Sequence, residues 1–130
     1  MISDTPQFIT VLSSAARTAS TTSSSFTVLP GQTLTLQLNI TAASGTGGLT
    51  LRVDMLDPVS GVWSGICQDT SARTTTLTNM YQVGPGSTRS GGMVNASLLG
   101  YQAQLVGPVR VTITAGDASS YTYGITASIA

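Results

Sequence analysis

Hydrophobic and polar residues alternate along most of this chain. Between residues 32 and 42, the hydrophobic residues Leu34, Leu36, Leu38 and Ile40 are separated by Thr, Gln and Asn. Successive side chains of a β-strand point to opposite faces of a sheet, so this alternation predicts a long strand with one buried face and one solvated face. The same pattern recurs along the chain.

The predicted strands are short and are separated by Gly, Pro, Asp and Ser. In addition to 32–42 they cover residues 7–12, 25–29, 49–55, 62–68, 72–83, 108–115 and 121–129. About eight short strands, each with one face to bury, favour two antiparallel sheets packed face to face. We therefore predict an all-β fold, an antiparallel β-sandwich that is either jelly-roll-like or immunoglobulin-like.

Segments rich in glycine and proline predict the connections. Residues 45–48, Gly-Thr-Gly-Gly, predict a turn that joins the flanking strands as a hairpin. Residues 57–61 predict a second turn, because their Asp accepts local backbone hydrogen bonds, their Pro fixes its own φ and their Gly tolerates a positive φ. A turn at 116–120 predicts a C-terminal hairpin between the last two strands.

Residues 87–107 show no clear period. Within them, residues 93–99 have the sequence Met-Val-Asn-Ala-Ser-Leu-Leu. This stretch is compatible with a short helical turn or with an irregular crossover between sheets, and the pattern does not distinguish the two.

The composition excludes several classes of catalytic site. The chain has no Lys, Glu or His; its charges are five Arg and five Asp, and 38 of its 130 residues are Ser or Thr. Without His, one chain forms neither a Ser-His-Asp triad nor a Cys-His pair, and it lacks the most common zinc ligand. Without Lys, it has no P-loop.

The carboxylates are the remaining candidates for catalysis, since two of them could act as the acid and the base of a glycosidase. They are Asp4, Asp54, Asp57, Asp69 and Asp117. Asp57 precedes a proline and Asp117 lies in Gly-Asp-Ala-Ser-Ser, which is typical of turns. The sequence therefore assigns no catalytic, cofactor-binding or metal-binding residue, and an enzyme is the weakest of the functions considered.

One domain accounts for the whole length. A chain of 130 residues buries enough surface to fold as a single β-sandwich domain covering residues 1–130. Cys67 is the single cysteine, so no intrachain disulfide forms, and its place beside Ile66 in a predicted strand is typical of a small buried hydrophobe. Pro6 interrupts the start of the chain, and residues 1–8 predict a flexible N-terminal arm.

Charge and hydropathy limit the partners. A formal net charge of zero with scattered Arg gives no basic stripe for a nucleic-acid backbone. No long apolar run predicts a membrane span, and the first residues lack the pattern of a secretion signal. We expect no nucleic acid, no membrane and no cofactor.

Three short motifs imitate binding or modification sites. Residues 45–48 resemble a phosphate loop, but they have no Lys and precede a strand rather than a helix, which favours a turn. Asn39 and Asn95 each begin an Asn-X-Ser/Thr sequence, a chance match in a chain without a secretion signal. Residues 20–25, Ser-Thr-Thr-Ser-Ser-Ser, predict a mobile or extended loop, or alternatively an arm that orders on a partner.

Three segments together resemble a known group of proteins. They are residues 12–20, Leu-Ser-Ser-Ala-Ala-Arg-Thr-Ala-Ser; residues 49–63, ending in Leu-Asp-Pro-Val-Ser-Gly-Val-Trp; and residues 109–130, which contain Gly-Asp-Ala-Ser-Ser-Tyr-Thr-Tyr-Gly. In this order and spacing they resemble small virion structural proteins of tailed bacteriophages, over nearly the whole chain. The resemblance carries no catalytic or ligand-binding residue.

The resemblance implies a capsid decoration, or cement, protein. Such a protein is a β-sandwich that binds the major capsid protein on the outer surface of the head and bridges capsid subunits. It would be made in the bacterial host cytoplasm, sit on the virion head and form a dimer or trimer on the shell. The arm at residues 1–8 would then lie over a neighbour.

Two alternatives of other kinds remain open. A tail or connector protein of the same virion would be equally rich in Ser and Thr. A carbohydrate-binding or receptor-binding β-sandwich would need exposed aromatic side chains, and the chain offers mainly Trp63, because the pattern places Tyr121 and Tyr123 on the core face of the last strand.

Overall fold

The computed structural model describes residues 6–87, 90–93 and 96–130, and these residues form eleven β-strands. The strands are β1 (Gln7–Arg17), β2 (Thr21–Thr22), β3 (Phe26–Val28), β4 (Leu34–Ala43), β5 (Leu49–Asp57), β6 (Val62–Gln68), β7 (Leu77–Gly84), β8 (Ser90–Met93), β9 (Ala96–Gln102), β10 (Gly107–Ala115) and β11 (Tyr121–Ile129). The predicted all-β class is confirmed.

The strands form two sheets. The six-stranded sheet has the order β1-β11-β4-β7-β9-β8. The five-stranded sheet has the order β2-β10-β5-β6, and β3 pairs with β10 on the same side as β2. All neighbours are antiparallel except β7 and β9, which are parallel.

The pairing is that of a jelly roll. β1 pairs with β11, β2 and β3 pair with β10, β4 pairs with β7, and β5 pairs with β6, so the chain forms one long nested hairpin. Pairing of β11 with β4 and of β10 with β5 rolls this hairpin into two sheets. β8 and β9 are an addition at the β7 edge. An immunoglobulin sandwich has a different strand order, so the structure confirms the jelly-roll alternative.

The core lies between the sheets and consists of the hydrophobic half of each alternating strand. In β4 the four hydrophobic residues from Leu34 to Ile40 are at most 2% exposed, whereas Gln37 between them is exposed. Tyr121 and Tyr123 of β11 are fully buried, as the alternation predicts. Because burial contributes about 25 cal/mol per Å² of apolar surface, this shared inner face is the main stabilising feature.

Two predicted hairpins are wrong. β4 and β5 lie in different sheets, as do β10 and β11, so residues 45–48 and 116–120 cross between the sheets. Alternation indicates which face of a strand is buried. It does not indicate which of the two sheets the strand joins, because each sheet has one buried face. The turn at 57–61 does form a hairpin between β5 and β6, where Gly61 has a φ of 75° and donates its N–H to the Asp57 carbonyl oxygen at 2.8 Å.

The segment without a clear period contains two strands. The described part of residues 93–99 belongs to β8 and β9, so the helical-turn alternative is wrong there. Val94 and Asn95, and with Asn95 the second Asn-X-Ser motif, lie outside the described residues. β9 extends the six-stranded sheet instead of crossing between sheets.

The Ser-rich segment at 20–25 is also more regular than predicted. Thr21 and Thr22 form β2 against β10, and the buried Ser23 donates its N–H to the Val111 carbonyl oxygen at 2.9 Å. Of the two predicted forms, mobile or extended, the extended one is closer for these residues, but they pair as a strand and do not form a loop. A low-complexity composition indicates that a segment is polar and soluble. It does not indicate that the edge of β10 offers this segment hydrogen-bond partners, because that depends on the strand order.

The start of the chain is described from Pro6 onward. Gln7 and Phe8 belong to β1 and pair with Ile129 and Ser128 of β11. These two residues are therefore part of the sheet, while residues 1–5 of the predicted arm lie outside the described residues.

Candidate interaction surface

Two loops meet at one end of the sandwich. Gly47 and Gly116 are so close that a Cβ added to Gly47 would lie 2.5 Å from the Gly116 carbonyl carbon. The Asp117 carboxylate accepts hydrogen bonds from the Gly47 N–H at 2.8 Å and from the Tyr121 hydroxyl at 3.2 Å. Residues 45–48 thus direct backbone donors at a side chain of the same protein, which supports a turn rather than a phosphate loop.

Asp57 is likewise a turn residue. Its carboxylate accepts hydrogen bonds from the Val59 N–H at 2.9 Å and from the Ser60 hydroxyl at 3.1 Å. Hydrogen bonds from backbone N–H groups hold the pKa of Asp57, and that of Asp117, below the ordinary value. Both carboxylates have the turn role that the sequence predicts.

Asp69 lies inside the sandwich. Its carboxylate accepts two hydrogen bonds from Arg73, at 2.7 and 2.8 Å, and one from the Tyr81 hydroxyl at 2.8 Å. Asn79 donates in turn to the Tyr81 hydroxyl at 3.3 Å. The cluster ties the segment after β6 to the inner face of β7, so it joins the two sheets.

The ionisation of Asp69 follows from these contacts. Burial raises the pKa of this carboxyl, but hydrogen bonds from Arg73 and Tyr81 outweigh burial, and the net pKa lies below 3.8. Burial also raises the pKa of Tyr81 above its ordinary value. The cluster is therefore a buried ion pair supported by neutral donors.

Asp54 lies on the other side of the five-stranded sheet, facing outward. It accepts hydrogen bonds from Arg52 Nε at 2.6 Å, from the Thr112 hydroxyl at 2.8 Å and from Arg110 Nε at 3.1 Å. Because Asp54 and Asp69 face opposite sides of the sheet, the structure does not bring these two together as a catalytic pair.

This outward face carries a cluster that we call the Trp63 patch. It consists of outward-facing side chains from β5, β6 and β10: Arg52, Asp54, Leu56, Trp63, Arg110 and Thr112. Leu56 and Trp63 are cross-strand neighbours. The Arg110 guanidinium lies 4.3 Å from the centre of a Trp63 ring. Arg110 therefore reaches from β10 over β5 to β6, and the cluster connects three strands.

Charge in the Trp63 patch is layered. The Asp54 side chain is 1% exposed, whereas those of Arg52 and Arg110 are 40% and 28% exposed. Burial raises the pKa of Asp54, but hydrogen bonds from Arg52, Thr112 and Arg110 lower it by more than burial raises it. The net pKa lies below the ordinary value, so this carboxyl is ionised at neutral pH. The solvent meets the guanidinium groups and not the carboxylate beneath them.

A shallow depression adjoins the cationic side of the patch. It has a volume of about 220 Å³ and is lined by Arg52, Gly65, Ile66, Cys67 and Gln68. A Cβ at Gly65 would lie 2.9 Å from Arg52 Cδ, so the glycine leaves room for the Arg52 side chain. Cys67 is half-buried and packs against the core, and burial raises its pKa to about 11, which makes it a poor nucleophile.

The opposite face of the sandwich has a different character. Across the six-stranded sheet, Thr10, Thr126, Gln37 and Met80 form one row of cross-strand neighbours. None of the outward-facing residues of β4, β7 and β11, which are described in full, is charged. Asn39 lies on this face and accepts a hydrogen bond from the Thr78 hydroxyl at 3.1 Å.

One edge of this sheet is formed by β1. Its register against β11 shifts twice, between Thr10 and Leu12 and between Leu12 and Ala15. Arg17 stacks on Tyr123 at 4.6 Å and donates a hydrogen bond to the Tyr123 carbonyl oxygen at 2.7 Å. Such bulges and an inward-turned charge are devices that limit uncontrolled pairing at a sheet edge.

Sequence patterns pointed to the carboxylates, the glycine loop, the Ser-rich segment and Trp63 as an exposed aromatic side chain, but not to the charged cluster around Trp63. Alternation does place Arg52 and Asp54 on the polar face of one strand. It does not reveal that Arg110, 56 residues further on, lies over the neighbouring strand and contacts the same carboxylate.

The described ranges hold neither a membrane-spanning helix nor a cluster of metal ligands. No helix within residues 6–87, 90–93 and 96–130 is long and apolar enough to cross a membrane. Over the same ranges, no group of three or more Cys or Asp side chains is arranged to hold a metal ion.

Comparisons with known proteins give only a distant similarity. No protein-family model and no curated protein sequence matches the chain. Among solved structures, it is similar to chains of infectious bursal disease virus, Gx strain (TM-score 0.47) and Gt strain (TM-score 0.44). Each is 14% identical, and the match covers 98% of this chain but 32% of the viral chain. This protein thus spans about a third of the viral chains, and we transfer no residue role from them.

Proposed function

We propose that this protein is a non-enzymatic capsid decoration, or cement, protein of a tailed bacteriophage. It binds the major capsid protein on the outer surface of the head and bridges capsid subunits. The observation that carries the non-enzymatic part of the proposal is the use of the carboxylates: Asp54, Asp57, Asp69 and Asp117 all accept hydrogen bonds that hold strands or turns. The proposal also draws on the resemblance of the chain to phage virion proteins.

The fold is compatible with this role, although jelly rolls also occur in lectins and cupins. The absence of His from the sequence disfavours a cupin-type metal site. A sugar platform needs a free aromatic face, and the Arg110 guanidinium covers one face of Trp63 and leaves only the other. These observations favour contact with protein over contact with sugar.

The size of the molecule sets the scale of its contacts. The chain exposes 6686 Å². A standard interface takes about 800 Å² from each partner, which is about an eighth of this surface. One copy therefore has room for contacts with more than one capsid subunit, and several modest contacts acting together give firm attachment.

Attachment to heads is the direct test. Purified protein is cosedimented with emptied heads of the phage that encodes it, and its copy number is read by gel densitometry. Saturation at hundreds of copies per head supports the decoration role. Attachment to tails alone favours the tail or connector alternative, and attachment to neither particle contradicts a virion function.

The proposed dimer or trimer is tested separately. Light scattering coupled to gel filtration gives the mass in solution, to be compared with 13.3 kDa for one chain. If the chain is monomeric in solution but forms dimers or trimers on heads, the oligomer exists only on the shell. A closed ring in solution would favour a connector.

A further inference from the structure

We infer that the Trp63 patch is a docking surface for a carboxylate-bearing segment of a partner protein. The inference rests on the proposed function, in which that partner is a capsid subunit. Its basis is the exposed charge of the patch together with the fixed geometry of its side chains.

Charge complementarity identifies the occupant. Two guanidinium groups reach solvent and the single carboxylate between them is 1% exposed, so the patch presents positive charge. Among the described residues, Arg110 donates only through Nε, and both of its terminal nitrogens have no hydrogen-bond partner. Guanidinium groups bind carboxylates through paired N–H donors, which makes an acidic side chain the fitting partner.

The side chains are already held in place. Asp54 accepts hydrogen bonds from Nε and Nη2 of Arg52 and from Nε of Arg110, and Trp63 supports the flat face of Arg110. Stacking leaves the edge of the guanidinium free to donate. Ordering long side chains costs free energy on association. Here the arginine side chains are already ordered before a partner binds, so this cost is reduced.

Apolar surface adjoins the charge. Leu56 and Trp63 are neighbours on the same face, and the depression of about 220 Å³ beside Arg52 gives the surface a concave margin. Trp and Arg are the residues most enriched among those that dominate binding energy. The fitting segment therefore combines a carboxylate, placed over the arginines, with an apolar side chain placed on Trp63.

The other broad face has a depression of its own, of about 170 Å³ and lined in part by Gln37, but it differs in charge. The outward residues of β4, β7 and β11 are uncharged, so they offer no attraction to an acidic segment. Two glutamines provide a matched comparison. Gln68 lines the depression beside Arg52, Gln37 lies on the uncharged face, and both side chains are exposed within strands.

The test compares Gln68→Glu with Gln37→Glu in attachment to emptied heads. Each variant adds one negative charge without changing side-chain size. We expect Gln68→Glu to weaken attachment about 3- to 10-fold, with a shallower dependence on salt, because it neutralises the exposed guanidinium charge. Gln37→Glu should bind as the original protein does. Equal attachment of the two variants, or stronger attachment of Gln68→Glu, overturns the inference.

A second measurement separates this inference from the proposed function. Trp63 is the only tryptophan, so its fluorescence reports on the patch. The probe is a blocked peptide of alternating Glu and Leu, and its control has Gln in place of Glu. We expect a saturable change with the acidic peptide that Gln68→Glu weakens and Gln37→Glu does not.

The combined outcomes are decisive. If the protein does not bind heads but binds the acidic peptide through the patch, the decoration role is contradicted and the inference is supported. If the protein binds heads and both glutamine variants attach equally well, the decoration role is supported and the inference is contradicted. If heads are not bound and the acidic and neutral peptides act alike, both proposals fail.

Discussion

Replacing Asp69 with Ala should remove a large part of the stability of this protein. The Asp69 side chain is 0% exposed and Arg73, its ion-pair partner, is 19% exposed. The substitution leaves the Arg73 guanidinium without its anion and the Tyr81 hydroxyl without its acceptor. Removing one partner of a buried ion pair costs about 3–5 kcal/mol.

The structure places the expected loss in the lower part of that range. Arg73 regains some hydration after the substitution because a fifth of its side chain is already exposed, whereas Tyr81 is fully buried and regains none. We expect a decrease of about 3–4 kcal/mol in the free energy of unfolding. Small domains are stable by only about 5–15 kcal/mol, so the change is readily measured.

Urea unfolding followed by Trp63 fluorescence and by far-ultraviolet circular dichroism gives the two free energies. Asp57→Ala is the matched control, since it removes a carboxylate from an exposed turn. Its loss should be much smaller than that of Asp69→Ala. A loss of about 1 kcal/mol or less in Asp69→Ala, or one no larger than in Asp57→Ala, would refute the argument that this buried pair joins the sheets.

The same contact predicts a dependence on pH. The pKa of Asp69 is lower in the folded protein than the ordinary value of 3.8, so its ionised form stabilises the fold above that value. This contribution is lost as the pH falls through the lower, folded pKa. The stability difference between the original protein and Asp69→Asn should therefore shrink from about pH 5 to about pH 2. A constant difference would contradict the assigned ionisation.

Three further predictions concern other parts of the molecule. Gly47→Ala should lower the free energy of unfolding by about 1–3 kcal/mol, because the new Cβ meets backbone atoms of the neighbouring loop. Gly86→Ala should leave the free energy of unfolding unchanged, because its new Cβ meets nothing within 4 Å. Equal urea midpoints of the two variants would contradict the close approach of Gly47 to the neighbouring loop. Cys67 should react with iodoacetamide at pH 8 about a hundredfold more slowly in the folded than in the urea-unfolded chain, since burial raises its pKa from 9.0 to about 11. Similar labelling rates, followed by mass spectrometry, would show that the thiol is accessible. Deleting residues 1–6, which precede β1, should leave the urea midpoint unchanged and weaken attachment to heads, and unaltered attachment would remove the predicted arm from the interface.

The strands were predictable because burial in a sheet is a local property of sequence. β6 and β11 have the predicted bounds, and the inward residues of β4 are those that the period of two indicates. Pairing partners were not predictable in the same way. In a jelly roll the first strand pairs with the last, so the relevant contacts link residues more than a hundred positions apart.

The two charged clusters show the same limit. Asp69 and Arg73 are four residues apart, a spacing that suggests a helix, yet they lie in the connection after β6. Tyr81, which donates to the same Asp69 carboxylate, comes from the other sheet. In the Trp63 patch, Arg110 joins Asp54 only because β10 lies beside β5. Strand order, which alternation leaves open, therefore decides where the charged chemistry is located.

The distribution of charge gives the proposed function a physical basis. Copies that crowd a shell must avoid mutual repulsion. A formal net charge of zero, together with the uncharged outward residues of β4, β7 and β11, permits close neighbours. Neutral surfaces, however, discriminate poorly between partners, so specificity has to come from a small number of placed charges. Of the described arginines, Arg52 and Arg110 share one carboxylate and present their guanidinium groups beside Trp63. A protein of zero net charge that presents this oriented cationic patch would therefore attach in a preferred orientation while tolerating many identical neighbours.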